Sequence, residues 1–181
     1  MGLGITHLAT GAAKLIQHRE DVRLYMPHAL WTINVLVFIL LIGWGMFWWS
    51  GHENWYAYEY LFITLYAIVL FFLASFLYPW DMQGNIDVRE HFFNNRLWFF
   101  GALFLAWCLD IPETVIKANA DLRPVPQEYF WFVGIQLAIA VTGLATRRHI
   151  VHLLLPILWF SLTVYYVLLS SLGFITASGQ S

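Results

Sequence analysis

The chain has 181 residues, of which 60% are hydrophobic and 11% are charged, and its formal net charge is −2. A soluble globular protein carries about 25% charged residues, so this composition excludes an ordinary soluble domain and indicates a single integral membrane domain over residues 1–181. Nucleic acid is excluded as a partner because its phosphates require dense Lys and Arg contacts, and the chain has no such run. The lone Cys108 excludes an intrachain disulfide.

Within residues 1–20, the stretch from Gly2 to Gln17 is too short to cross a membrane, yet it has helical periodicity. His7, Thr10 and Lys14 recur at helical spacing against apolar residues such as Leu8. This pattern predicts an amphipathic helix that lies in the membrane interface. The alternative is that the segment is the inner half of a sixth span.

Five later segments are long and apolar enough to form the helix of ~20 residues that crosses a hydrocarbon layer. They are residues 29–49, 55–78, 88–109, 127–145 and 150–172. The sequence therefore predicts an all-α fold, a polytopic membrane helical bundle with five transmembrane helices and an N-terminal amphipathic or half-spanning helix.

The third of these spans is apolar only over residues 97–109, which is too short to cross the membrane alone. Asp87 followed by Glu90 has the pattern of a capping box, so the helix is expected to begin at Val88 and to carry polar residues in its first turns. Residues 110–126 are predicted to be a connector with one or two turns of surface helix.

The charges are concentrated at one end of the predicted spans, which holds six of the seven histidines and seven of the nine Lys and Arg residues. These cations are Lys14, Arg19, Arg23, Arg89, Arg96, Arg147 and Arg148. Cytoplasmic loops of membrane proteins are rich in Lys and Arg, so this end is predicted to be cytoplasmic and the C-terminus to lie outside.

Four histidines at this end, His28, His91, His149 and His152, are candidate ligands of a haem or a metal ion. His149 and His152 are three residues apart and share a helix face. Haem requires axial ligands at matching depth on facing helices, which this spacing permits but does not require. The simpler interpretation is that these histidines bind headgroups and backbone carbonyls, and a third is that they sense pH. No cofactor is predicted.

Arg96, Arg147 and Arg148 are candidates for contact with an anionic lipid headgroup between helices. The alternative is that they are ordinary topology-setting charges. Arg96 lies inside a predicted span and therefore needs a partner, for which Glu90 and the adjacent asparagines are the nearest candidates.

Asn34, Glu59 and Gln136 are the candidates for a transport or proton pathway. Glu59 lies among aromatic residues near a span boundary, where the simpler interpretation is that it faces the outer headgroups. Gln136 is nearest the middle of the membrane and is expected to form a hydrogen bond to another helix.

Gly134, Ala138 and Thr142 follow one another at intervals of four residues in the fourth span. A stripe of small residues lets two helices approach closely. We expect a packing seam here, either within one protomer or between protomers.

Three segments carry a resemblance to a known group of proteins. Residues Gly4–Leu8, Val22–Trp31 and Asp87–Phe100 resemble an uncharacterised family of small bacterial inner-membrane proteins. The resemblance implies a multi-pass protein of the bacterial inner membrane. Because no activity is known for that family, it implies no ligand or catalytic residue. Its members have a longer lead before the segment that matches Gly4–Leu8, which favours the sixth span.

No phosphate-binding loop, nucleophile elbow, zinc helix or haem-attachment motif occurs in the chain. We therefore expect a non-enzymatic membrane protein that acts through lateral helix contacts, as an accessory subunit of a complex or as a homo-oligomer. The expected partners are the lipid bilayer, anionic lipids included, and copies of itself or other membrane subunits. A small transporter or ion channel with a polar cytoplasmic vestibule is one alternative, and a haem or metal protein is another.

Overall fold

The computed structural model describes residues 1–18, 22–53, 55–79 and 86–178, so Arg19 lies outside the described part of the chain. The helices are α1 Gly2–Gln17, α2 Met26–Gly45, α3 Ala57–Ser75, α4 Val88–Asn119, α5 Tyr129–Ala145 and α6 His149–Ser178, and a 3-10 helix, Met46–Gly51, continues α2. Two short strands, β1 Val22–Arg23 and β2 Ile86–Asp87, pair in parallel just before α2 and α4. Apart from this pair of two-residue strands the described fold is helical, as predicted.

Four of the described helices are long and apolar enough to cross a membrane. They are Met26–Gly51, Ala57–Ser75, Val88–Asn119 and His149–Ser170. The helix α5 is also apolar but has only 17 residues. A helix that is apolar around its whole circumference is typical of a buried or membrane-embedded element. The prediction of an apolar helical bundle is confirmed to this extent.

The start of α4 is set by a side-chain cap. The Asp87 carboxylate accepts hydrogen bonds from the backbone N–H groups of Arg89 at 2.9 Å and Glu90 at 3.1 Å. These two N–H groups have no partner inside the helix, so the cap stabilises the first turn. The prediction that the helix begins at Val88 is confirmed.

The predicted connector over residues 110–126 is wrong in its first half. The helix α4 continues through Pro112 to Asn119, for a total of 32 residues. Proline in a helix interior removes one backbone hydrogen bond and is normally unfavourable. Here the three polar side chains Asp110, Glu113 and Lys117 are buried and have partners on other elements, and those contacts favour the continued helix.

The helices α2 to α6 form a closed ring in which α2 contacts α3, α4 and α6, α4 contacts α3 and α5, and α5 contacts α6. Large aromatic rings fill the space between α2 and α4. The ring of Trp31 lies 5.3 Å from each of the rings of Phe99 and Phe100, and Phe38 stacks on Trp107 at 4.8 Å. Each buried aromatic side chain removes about 150–250 Å² from solvent or lipid, so these contacts dominate the core.

The N-terminal helix α1 packs lengthwise against α2 and α3. A Cβ atom on Gly4 would lie 3.2 Å from the Ile39 side chain, and one on Gly11 would lie 2.4 Å from the Tyr78 ring. The absence of side chains at these two positions therefore lets α1 approach closely. Because Gly4 also faces Leu70 and Gly11 faces Tyr78, α1 and α3 run in the same direction.

Two glycines of α5 provide a test of the contact between α4 and α5. A Cβ on Gly143 would lie 2.3 Å from the buried ring of Phe100, whereas one on Gly134 would have no atom within 4 Å. We expect Gly143→Ala to lower the free energy of unfolding by about 1–3 kcal/mol through overpacking. Gly134→Ala should be neutral or stabilising by up to about 1 kcal/mol, because alanine favours helix. Thermal unfolding in mild detergent, followed by circular dichroism, measures both; equal effects would contradict the described packing.

Candidate functional site

The charged residues that the structure describes, and the four candidate histidines, lie towards the two ends of the bundle. We call the end at which α2, α4 and α6 begin the histidine end, because His28, His91, His149 and His152 all lie there. The opposite end, which holds Glu59 in the first turn of α3 and the acidic residues in the second half of α4, is the carboxylate end. The two ends differ in charge.

At the carboxylate end, Asp110 joins three helices. Its two carboxylate oxygens accept hydrogen bonds from the hydroxyl groups of Tyr66 on α3, at 3.1 Å, and Tyr129 on α5, at 2.8 Å. All three side chains are buried. Charge-assisted hydrogen bonds of this kind are about twice as strong as neutral ones, so Asp110 holds the adjacent helices together.

One turn further along α4, Glu113 and Lys117 form a buried ion pair with an O–N distance of 2.5 Å. The Glu113 carboxylate also accepts a hydrogen bond from the Trp49 indole N–H at 2.9 Å. The Lys117 ammonium donates to the carbonyl oxygen of Gly45 at 2.7 Å. Gly45 is the last residue of α2, where the 3-10 helix begins, so Lys117 joins α4 to this junction.

The charge at this end is not balanced along α4. Lys117 is paired with Glu113, and in the described part of the chain Asp110 has neutral tyrosine hydroxyls as hydrogen-bond partners and no cation in an ion pair. A buried carboxylate of this kind is able to bind a proton or to help hold a cation. Ionisable residues within membrane helices are functional candidates by default.

Glu59 is 3% exposed because other groups of the chain cover it, and its position relative to the outer headgroups remains a prediction. Its carboxylate accepts a hydrogen bond from the Tyr56 backbone N–H and contacts the imidazole of His52, both at 3.0 Å. The hydrogen bond from the Tyr56 N–H caps the start of α3. An open groove of about 450 Å³ runs beside this pair and is lined by Gly43, Met46, Phe47, Trp49, Ser50, His52 and Trp55.

The three candidate pathway residues do not meet. Glu59 lies at the carboxylate end, whereas the Asn34 amide donates to the carbonyl of Pro156 at 2.8 Å and so joins α2 to α6. The Gln136 amide donates to the Thr163 hydroxyl at 3.1 Å and joins α5 to α6. The expected hydrogen bond from Gln136 to another helix is therefore confirmed.

At the histidine end, three of the candidate histidines bind separate partners. His28 Nε2 donates to the carbonyl of Leu77 at 2.7 Å, and His152 Nε2 donates to the carbonyl of Thr146 at 2.9 Å. His149 Nδ1 lies 3.0 Å from the Tyr25 hydroxyl. Burial raises the pKa of Tyr25, so its hydroxyl forms this hydrogen bond in the neutral state.

The fourth candidate, His91, lies beside the amide of Asn95, with 3.3 Å between Nδ1 and Nδ2. His28 and His91 line one crevice with an empty volume of about 180 Å³. The crevice has no room for a water molecule, so it does not form a cavity for a bulky cofactor in this structure. In the described ranges of the chain, no group of three or more His, Cys, Asp and Glu residues is arranged to hold a metal ion.

Arg96 is 6% exposed, and its guanidinium donates through Nη1 to the carbonyl of Thr146 at the end of α5. The prediction that Glu90 or an adjacent asparagine would be its partner is wrong. Glu90 is exposed, and Asn95 turns towards His91. Arg96 lies on the face of α4 that packs against α5, whose terminal carbonyls need donors.

The small-residue stripe of Gly134, Ala138 and Thr142 lies on the exposed side of α5. The opposite side of the helix packs against α4, with Gly143 against Phe100. The stripe is therefore not a seam within the described protomer. Of the two expectations for these residues, contact between protomers or with another chain remains a prediction.

Sequence reasoning missed the cluster of Asp110, Glu113 and Lys117. A signal for it exists, because buried residues recur at helical spacing along α4 and continue without interruption into the polar cluster. They are Leu103, Ala106, Trp107, Asp110, Glu113 and Lys117. Pro112 and the two acidic residues concealed this periodicity, because together they resemble the start of a loop.

Comparison of the chain with protein-family models, with curated proteins and with solved structures found no match.

Removal of the Lys117 ammonium tests the buried ion pair. We expect Lys117→Met to lower the free energy of unfolding by about 3 kcal/mol, because Glu113 is left buried without a cation. The double variant Lys117→Met/Glu113→Gln should recover most of this loss. Thermal unfolding in mild detergent measures the effect, with Lys14→Met on α1 as the control. A single variant as stable as the wild-type protein would contradict a buried pair.

Proposed function

We propose that this chain is a non-enzymatic integral protein of the bacterial inner membrane that acts through lateral helix contacts, either as a homo-oligomer or as an accessory subunit of a membrane complex. Four membrane-length apolar helices and many exposed large apolar side chains support the membrane location. The aromatic core supports a structural role, because the space between α2 and α4 is occupied by side chains.

In this proposal α5 is the fifth span and α1 is a further membrane-embedded helix. The 17 residues of α5 rise about 26 Å, which is near the thickness of the hydrocarbon layer. Lengthwise packing of α1 along α2 and α3 supports an embedded helix over one that lies flat in the interface. The histidine end is cytoplasmic, because most of the Lys and Arg residues lie there.

The observation that carries the proposal is the outward orientation of the small-residue stripe on α5. Gly134, Ala138 and Thr142 are exposed, and no described side chain covers the Cα of Gly134. Helices associate in lipid through close approach at such small residues, since lipid tails are as apolar as the helices themselves. A second helix is the partner that this face fits best.

Two threonine substitutions test this contact. Thr142 and Thr64 are both exposed, and both hydroxyls donate to the carbonyl four residues earlier, at 2.7 and 2.8 Å. Thr142→Leu fills the stripe, whereas Thr64→Leu on α3 does not. We expect Thr142→Leu to weaken association by about tenfold, or ~1.4 kcal/mol, and Thr64→Leu to leave it unchanged.

Native mass spectrometry after gentle extraction from the membrane measures the association. The wild-type protein should appear as a homo-oligomer or with foreign subunits bound. A wild-type protein that runs as a bare monomer would reject the proposal. Equal losses in the two threonine variants would reject the assignment of the contact to α5.

A second candidate function is transport of protons or cations, and the observation that favours it is the buried Asp110 with its two tyrosine donors. We expect Asp110→Asn to abolish proton flux into liposomes that contain the purified protein. The control is Glu90→Gln, which changes an exposed carboxylate of the same helix. Wild-type flux equal to that of protein-free liposomes would reject transport.

A further inference from the structure

We propose that Arg96, Arg147 and Arg148 bind the phosphate of an anionic phospholipid at the turn between α5 and α6. The inference rests on the membrane location proposed above and names one lipid class that the histidine end recognises. It is carried by three observations, which are a buried guanidinium with an unused donor, a local excess of positive charge, and exposed apolar side chains beside it.

The first observation is the unused donor of Arg96. The side chain is 6% exposed, its Nη1 group donates to the carbonyl of Thr146, and its buried Nε–H has no hydrogen-bond partner. A guanidinium stays protonated in proteins, so this is a permanent charge. A buried charge without an opposite charge is strongly unfavourable, which means that an anion at this position would stabilise the bundle.

The second observation is the charge around the turn. Both ion pairs in the described ranges of the chain are at the carboxylate end, and neither involves Arg96, Arg147 or Arg148. Arg147 is close enough to act electrostatically on Arg96, and both Arg147 and Arg148 are exposed. Arg147 therefore lies near Arg96, Arg148 follows it in the chain, and none of the three is in an ion pair within the described ranges.

The turn adds partial positive charge from the backbone. The helix α6 has 30 residues and begins at His149, directly after Arg147 and Arg148, so the partial positive charge of its N-terminus lies beside these two residues in the chain. The Thr146 hydroxyl accepts a hydrogen bond from the Arg148 N–H at 3.2 Å, which fixes the turn. A helix N-terminus together with arginine side chains is a favourable environment for phosphate.

The third observation distinguishes a phospholipid from free phosphate. Leu97, next to Arg96, is 56% exposed, and Ile150, two residues after Arg148, is 70% exposed. Acyl chains attached to the bound phosphate would cover these apolar side chains, whereas a small soluble anion would leave them bare. Basic pockets between helices at the cytoplasmic surface are typical sites for anionic headgroups.

The test uses purified protein in a neutral detergent with three separate additives, which are dioctanoyl phosphatidylglycerol, dioctanoyl phosphatidylcholine and inorganic phosphate. We expect phosphatidylglycerol to raise the unfolding temperature and to form a one-to-one adduct in native mass spectra. The double variant Arg147→Gln/Arg148→Gln should bind it about 25-fold more weakly, or roughly fivefold for each arginine. Both residues are exposed, so the variant should fold.

The control variant is Arg89→Gln, which removes an exposed cation from the same end of the bundle. Unchanged phosphatidylglycerol binding in this variant, with the loss confined to Arg147→Gln/Arg148→Gln, supports the site. Equal losses in both variants would indicate general surface attraction and overturn the proposal. Equal stabilisation by inorganic phosphate or by phosphatidylcholine would overturn the assignment to an anionic lipid, as would no stabilisation at all. The same spectra report the oligomeric state, so failure of the lateral-contact proposal is visible separately from failure of this site.

Discussion

The contact of α2 with α4 through large aromatic rings is the interaction on which the rest of the bundle depends. Trp31 packs between Phe99 and Phe100, and Phe38 stacks on Trp107. These aromatic side chains lie between α2 and α4, and α3, α5 and α6 complete the closed arrangement of helices around them. Because dispersion contacts are individually weak and additive, a few wide rings hold two helices together more effectively than many small side chains.

An aromatic centre restricts what the polar residues inside the bundle can do. Polar side chains in an apolar interior are stabilised by hydrogen bonds to neighbouring helices. Asn34 and Gln136 each form one such hydrogen bond to α6. They act as links between helices and do not form a continuous hydrophilic path with Glu59.

The charged groups that remain are at the two ends, and the ends have opposite character. At the carboxylate end the polar side chains pair mostly with one another, through Asp110 with two tyrosines and Glu113 with Lys117. At the histidine end Arg96 has a carbonyl partner, and none of the arginines in the described part of the chain is in an ion pair. This asymmetry favours contacts between helices at the carboxylate end and recognition of external anions at the histidine end.

The composition and hydropathy of the sequence by themselves determined the helical class, the approximate position of the apolar helices, the capped start of α4 at Val88 and the concentration of cations at one end. Each of these features depends on the residue types within a single segment of the chain and does not require contacts with other segments. The extension of α4 beyond Pro112 depended on distant partners and was missed, because a buried Asp110 or Lys117 in isolation resembles a loop residue.

Only the tertiary structure decided which faces of the helices are covered. In a soluble protein, helical periodicity distinguishes the buried face from the exposed one, because water selects polar residues for the exposed side. In a chain this apolar, both faces carry similar side chains, and the pattern no longer separates them. For this reason the outward orientation of Gly134, the pairing of Arg96 with the Thr146 carbonyl and the convergence of Asp110, Tyr66 and Tyr129 followed from the order of helices around the bundle.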